Sequence, residues 1–351
     1  MTRTPDKQQH LEHVVEHLDI TKVNVVPLVD MMGQTAFSAR DLARAGRIVD
    51  MMVRDDACGI ILTLAGSVVS AGQRRAIVTL IEANVVDAIV STGANIVDQD
   101  FFEALGFRHY QGDKFMDDNA LRELMIDRIY DTYIDEVELR QCDDTIRAIA
   151  DGMAPGAYSS REFIAEMARF LREHGLGEGS IIRSADERGV PIFVPAFSDC
   201  SAGFGLVHHQ THHPDAHVAI DSVKDFRELT QIKIHQGTTG IVMLGGGVPK
   251  NFVQDIVVSA EFLGHEAEMH KYAVQLTVAD ERDGALSGST LKEASSWGKV
   301  DTAWEQMVYG ELTVTFPLLA GYVWHKRGWE QRTPRRYERL FEAEAEAVGA
   351  G

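Results

Sequence analysis

The chain has 351 residues, 45% hydrophobic and 25% charged, with a formal net charge of −19. This composition supports a globular protein with a sizeable core and excludes a disordered or repeat architecture. It argues against general nucleic-acid binding, which needs clustered lysine and arginine, and its longest apolar runs (GIVML, GIILTLA) fall far short of the ~20 residues of a membrane helix.

Residues 1–22 form a polar N-terminal extension without an apolar signal core, so a cytoplasmic protein is expected. A single α/β domain is expected over 23–335. Its first helical pattern is AFSARDLARAGRIVDMMV, followed by a strand at Gly59–Leu64, the helix QRRAIVTLIEAN and a strand at Val85–Val90. GMAPGAYSS (152–160) reads as a loop between helices. Ser159 and Glu162 have capping-box spacing at the start of SSREFIAEMARFLREHG. Strands follow at Val190–Val194 and His217–Ile220, then the helix VKDFRELTQIKIHQ and a strand at Thr239–Leu244. Pro249 suits the first turn of PKNFVQDIVVSAEFLG. Further strands are expected at Tyr272–Val278 and Leu312–Phe316, then the helix LLAGYVWHKRGW. Residues 336–351 read as a charged helix and tail without chemistry. The alternation predicts an α/β fold with a doubly wound, mostly parallel, Rossmann-like sheet and right-handed crossovers.

Ligands of such sheets bind beyond the carboxyl ends of the strands. Four stretches rich in small residues fall there: LAGSVVSAG (64–72), STGAN (91–95), PAFSDCSAG (195–203) and LGGGVPKN (244–251). Such residues let the backbone approach a phosphate, and four of them on one sheet point to a dinucleotide site, although GxGxxG is absent. Asp98, Asp199, Asp283 and Glu311 lie near the same edges, where a carboxylate can take ribose hydroxyls or simply cap a helix. Cys58, Cys142 and Cys200 are too far apart for a zinc motif and read as buried thiols. HHQTHH would put His208 and His212 on one helix face, but Pro214 closes the segment and HExxH is absent, so no metal is expected. In SSWGKV, Lys299 follows Trp297 by two residues. A lysine attacks carbonyl or imine carbons only when neutral, and burial beside the indole would favour that form. Most lysines are merely solvated, but the DGALSG loop (283–288) and Glu293 supply a turn and a carboxylate nearby.

STGANIVDQD, PIFVPAFSD, GIVMLGGGVPK, DGALSG, KEASSWGKV and TVTFPLL together resemble the deoxyhypusine synthase family, in its order, from about Val25 to about Val323. RIYDTYIDEVELR is similar to its bacterial deoxyhypusine synthase-like branch, which includes homospermidine-forming relatives. The resemblance makes 23–335 a catalytic, NAD-binding domain and implies transfer of an aminobutyl unit of spermidine, through a lysine imine, to an acceptor amine. It implies Lys299 as the imine-forming lysine, Trp297 along the substrate chain and Glu293 at a substrate amine. It implies NAD contacts at Ser70, Thr92, Gly93, Asp98, Asp199, Gly245, Gly246, Asp283 and Glu311. It also implies a homotetramer with sites between subunits.

Three substrate positions depart from the family pattern: Phe204 and Leu286 stand where deoxyhypusine synthases carry spermidine-binding aspartates, and Asn251 replaces a histidine. Losing two carboxylates leaves a buried ammonium unpaired, at a cost of several kcal/mol. A small amine or polyamine is therefore the expected substrate, as in a homospermidine synthase using putrescine. Phe204 could also stack on a guanidinium, as in guanidinobutyl transfer from agmatine. The alternatives are deoxyhypusine synthesis on a translation factor and a non-catalytic NAD-binding protein.

Overall fold

The computed structural model describes residues 7–282 and 290–341. Six strands form the central sheet: β1 (Gly59–Leu64), β2 (Ala88–Ser91), β3 (Ile192–Phe193), β4 (Thr239–Leu244), β5 (His270–Thr277) and β6 (Val300–Tyr309). Their order is β6-β5-β4-β1-β2-β3 and every pairing is parallel. The order runs outward in both directions from the β1/β4 pair, as expected of a doubly wound sheet.

A central parallel strand is buried on both faces, which is why GIILTL reads as a continuous apolar run. Ile60, Leu62 and Leu64 enter one core with Ile48, Val49 and Met52 of the helix Phe37–Arg54. Ile61 enters a second core with Val253 and Ile256 of the helix Gly247–Phe262, and with Leu291, Ala294 and Val300. The capping box at Ser159 and Glu162 is present.

The final strand departs from expectation. Leu312–Phe316 is not a strand but the start of the helix Leu312–Lys326, capped by Glu311, with Phe316, Leu319, Ala320 and Val323 buried at helical spacing. The sixth strand is instead Val300–Tyr309. As an edge strand it is only partly buried, so it carries no apolar run for periodicity to find. Val218–Ile220 is a strand, but outside the main sheet: it pairs with Gly156–Tyr158, within the stretch read as a loop. His109–Gln111, Ile126–Ile129 and Thr132–Asp135 make a small antiparallel sheet. The N-terminal segment lies against it, Gln111 N–H donating to His13 O at 2.7 Å, and reaches the loop after β1 through Leu18 N–H to Gly72 O at 2.8 Å.

The chain after the last long helix closes the amino edge of the sheet. Arg332 makes a two-pronged pair with Asp87 (2.9 and 2.6 Å), both side chains about fully buried, and Asp87 also accepts Ile60 N–H at 2.7 Å. Removing one partner strands a buried charge. Asp87→Ala is therefore expected to cost about 3–5 kcal/mol in urea unfolding.

Candidate active site

The four small-residue stretches follow the carboxyl ends of β1, β2, β3 and β4. At the β1/β4 reversal Ala65 N–H donates to Leu244 O at 2.9 Å, and a Cβ on Gly245 would stand 3.0 Å from that of Ala65. Gly245 has φ +80°, so glycine is required there both for the turn and for the close approach. Gly246 caps the helix Gly247–Phe262. Gly93 lets the β2 loop close on the β3 loop, since a Cβ there would meet Cys200 Sγ at 2.4 Å.

Side chains buried under these loops fix their shape. Asn95, fully buried, accepts Val68 N–H and donates to Gly66 O and Thr92 Oγ1, each at 2.9 Å. Gln99 accepts Ser70 N–H at 2.8 Å, and Gln275 donates to Gly245 O at 2.9 Å. Gln99 Nε2 and Gln275 Oε1 are buried without a partner. Orphan atoms of this kind beside glycine turns fit a ligand that offers both donors and acceptors. A dinucleotide meets that description.

Asp98 accepts Ser201 N–H at 2.7 Å, at the first residue of the helix Ser201–His212. Its carboxyl is pushed up to about 6, by burial first and by the neighbouring Asp143 and Asp199, against the Ser201 hydrogen bonds. Asp199 is exposed in the turn after β3. Glu311, at the carboxyl end of β6, accepts Thr313 N–H at 2.9 Å. Asp283 and Leu286 lie outside the described residues.

A second group of candidates clusters where the helix Gly247–Phe262 meets the helix Leu291–Ser296 and the turn after it. Lys299 immediately precedes β6, and its carbonyl accepts His270 N–H at 2.9 Å. Its Nζ stands 2.5 Å from Asp255 Oδ1 and 5.4 Å from the centre of the Trp297 ring. Trp297 is 68% exposed, so within one chain the indole does not enclose the amine. Glu293 takes both Thr290 N–H (2.7 Å) and its hydroxyl (3.0 Å) in a capping box. Those bonds, the backbone one first, hold its carboxyl below the usual range.

Lys250 and Asp255 were not singled out in the sequence. Lys250 is fully buried, and burial pushes its amine down to about 8, with Lys299 acting the same way and Glu293 opposing. Lys250 leaves the glycine loop in the first turn of its helix, and Asp255 lies roughly 8 Å further along the axis. This helix joins the glycine-rich edge to the lysine. Asn251 is exposed on it.

Phe204 is not brought near Lys299 within one chain. It is 70% exposed on the helix after β3, at one border of the sheet, while Lys299 opens β6 at the other. Five strand spacings, about 24 Å, separate the borders.

The histidine cluster has structural work. His209, buried, donates from Nδ1 to Asp151 at 2.6 Å and accepts Val218 N–H on Nε2 at 3.0 Å. With Asp151 and His213 it has metal-site spacing, but neither ring nitrogen is left to give. His208 and His212 stack at 4.2 Å on the exposed side. All three cysteines are free, and burial pushes Cys58 and Cys200 up to about 12. A cavity of about 870 Å³ beside Arg74, Glu103, Trp324 and Trp329 contains none of the candidate residues.

Fold and site together define a doubly wound α/β protein with a glycine-rich ligand edge and an adjoining lysine–carboxylate pair. The deoxyhypusine synthase family profile matches residues 27–323. The deoxyhypusine synthase-like protein of Chlorobaculum tepidum is 66% identical over 97% of this chain and 98% of its own. That of Coxiella burnetii is 57% identical over 97% of each. A crystal structure assigned as a deoxyhypusine synthase from Entamoeba histolytica superposes with a TM-score of 0.60 at 19% identity, covering 91% of this chain and 99% of the other, and so shares the fold. The chain belongs to the deoxyhypusine synthase family and is a deoxyhypusine synthase-like transferase.

Asp98 makes a pH prediction. The folded state keeps its proton up to about pH 6 and the unfolded chain loses it near the ordinary value of 3.8, so stability falls as pH rises between them. Asn at this position can still accept Ser201 N–H. Asp98→Asn is expected to stabilise the protein by about 1–2 kcal/mol at pH 7.5 in urea titrations, the gain vanishing below about pH 4.

Proposed function

We propose that the chain is an NAD-dependent transferase that moves an aminobutyl-type group, through an imine on Lys299, onto a small amine, as in homospermidine formation from putrescine. The observation that carries this reading is the cluster in which Lys299 meets Asp255 and Trp297, with Asp255 on the helix that leaves the glycine loop.

A bound dinucleotide would supply the acceptor, and later the donor, of one hydride. Gly245, Gly246, Gly93, Ser70 and Thr92 would hold it, with Asp98, Asp199, Asp283 and Glu311 at its ribose and amide groups. Lys299 adds to the substrate's C=N carbon, expels the first amine and carries the four-carbon unit until the acceptor amine displaces it. Trp297 packs along the methylenes, and Glu293, already ionised, receives the distal ammonium.

Small-amine specificity is supported by Phe204 and Leu286, which give an extended polyamine no carboxylate partners at those positions. A site between subunits of a homotetramer is supported by the separation of Phe204 from Lys299 and by the exposed Trp297, Trp304 and Tyr309 around edge strand β6. The proposed location is the cytoplasm, and nothing in the cluster calls for a membrane or nucleic acid partner.

The test is mass spectrometry of products after incubation with NAD and putrescine, spermidine or agmatine, singly and in pairs. A secondary amine with a four-carbon bridge is expected from putrescine alone. A guanidinobutyl product would redirect the reading to agmatine, and modification of a translation-factor lysine by labelled spermidine would redirect it to deoxyhypusine synthesis. Lys299→Ala is expected to lower turnover by at least about 10³-fold, as loss of a nucleophile does, with dinucleotide affinity retained.

A further inference from the structure

We infer that Asp255 is the counter-ion of the lysine imine, the carboxylate that keeps the Lys299 nitrogen positively charged while it carries the transferred group. This rests on the reading of Lys299 as the imine-forming residue and adds a catalytic residue to it.

The geometry assigns the role. Asp255 Oδ1 is 2.5 Å from Nζ, the atom that would form the imine. The carboxylate stands on a long helix whose opposite side is locked in the core by Val253, Ile256 and Val257, so its position is set by a rigid element. Of the other charged groups in the cluster, Lys250 is a second cation and Glu293 is bound to Thr290. Among the described residues, Asp255 is thus the acid that faces the reacting nitrogen. As a stability device the pair is worth little, because Lys299 is 18% and Asp255 42% exposed. Its value lies in the chemistry.

The transfer balances with the charge at Nζ conserved. Lys299 as ammonium and a substrate iminium go to a Lys299 iminium and a departing ammonium: the double bond from Nζ to the carbon forms, the double bond from that carbon to the donor nitrogen breaks, and the two protons lost from Nζ, the first before attack, leave on the donor. Two positive charges stand on each side and nothing is oxidised or reduced. A protonated C=N is the electrophile that an acceptor amine or a hydride attacks, and a neutral imine is a poor one. A carboxylate at 2.5 Å favours the protonated form.

The test needs no dinucleotide. The full chain is incubated with butanal at pH 8, and the imine is trapped in parallel by borohydride, which reduces neutral and protonated imines, and by cyanoborohydride, which reduces the protonated form. Butylated Lys299 is counted by peptide mass spectrometry. Comparable yields are expected for the wild type. In Asp255→Asn the cyanoborohydride yield should fall about tenfold relative to borohydride, the lower end of an opposite-charge effect, and Asp255→Glu should restore most of it. In the transfer assay the same Asn variant should lose kcat with the amine KM changed less than about threefold. An unchanged trapping ratio, or a raised KM with kcat retained, overturns the role of Asp255. A wild-type Lys299 that takes no label even with borohydride overturns the reading on which it rests.

Discussion

Two parallel strands, β1 and β4, lie side by side, and the chain turns outward from them in both directions across the sheet. Everything chemical in this molecule depends on that reversal. It sends the chain from β1 toward one core and from β4 toward the other, which makes the crevice at their carboxyl ends, and it brings the first backbone turns into contact at Ala65 and Gly245. Only a glycine tolerates that contact with the backbone at positive φ. The alternation of β1, Ile60 and Leu62 to one core and Ile61 to the other, then fixes which helix lines which face. The helix Gly247–Phe262 is held over the second core by Val253 and Ile256, and it therefore carries Lys250 and Asp255 from that crevice to the cluster around Lys299.

The two carboxylates beside Lys299 are engaged by different groups. Glu293 is satisfied by Thr290 and stays ionised, Asp255 faces Lys299, and Lys250 is deprived of water by its position in the helix's first turn. A buried lysine beside another lysine makes a second ammonium there costly. The arrangement suits a reaction in which the Lys299 nitrogen stays positively charged, because Asp255 can compensate that charge without rearranging.

Much of this was legible in the sequence because it follows from burial. Strands β1 and β4 are buried on both faces, and their apolar runs give their limits residue for residue. The small residues after β1 to β4 announce the crevice because backbone crowding leaves no alternative to them. β6 was not legible: it lies at the sheet border, and VDTAWEQMVY mixes charge with half-buried apolar groups. LTVTF shows the opposite failure, since its β-branched alternation resembles a strand while Glu311 and Thr313 cap a helix there. Asp255 was invisible for another reason. Nothing in VQDIVV marks one acid among 53 Asp and Glu residues, and only the fold of Lys299 against that helix gives it meaning. Phe204 stands at the opposite border of the sheet from Lys299 within one chain, a separation that no sequence signal gives.

That last separation bears on the substrate. If Phe204 and Lys299 serve one site, as proposed, the site is closed by another subunit, and the distance from the lysine to the apolar side chain is set by assembly rather than by the sheet. A long polyamine spanning such a site would need an acid at its far end to stay paired, and this chain offers Phe204 there. A short amine needs no far partner: its one distal ammonium can be met by Glu293, already on the lysine's own side, while Phe204 excludes water from the methylenes or stacks on a planar cation. On that proposal the length of the amine is selected by where carboxylates meet it: Asp255 and Glu293 stand on the Lys299 side, and an apolar ring stands at Phe204.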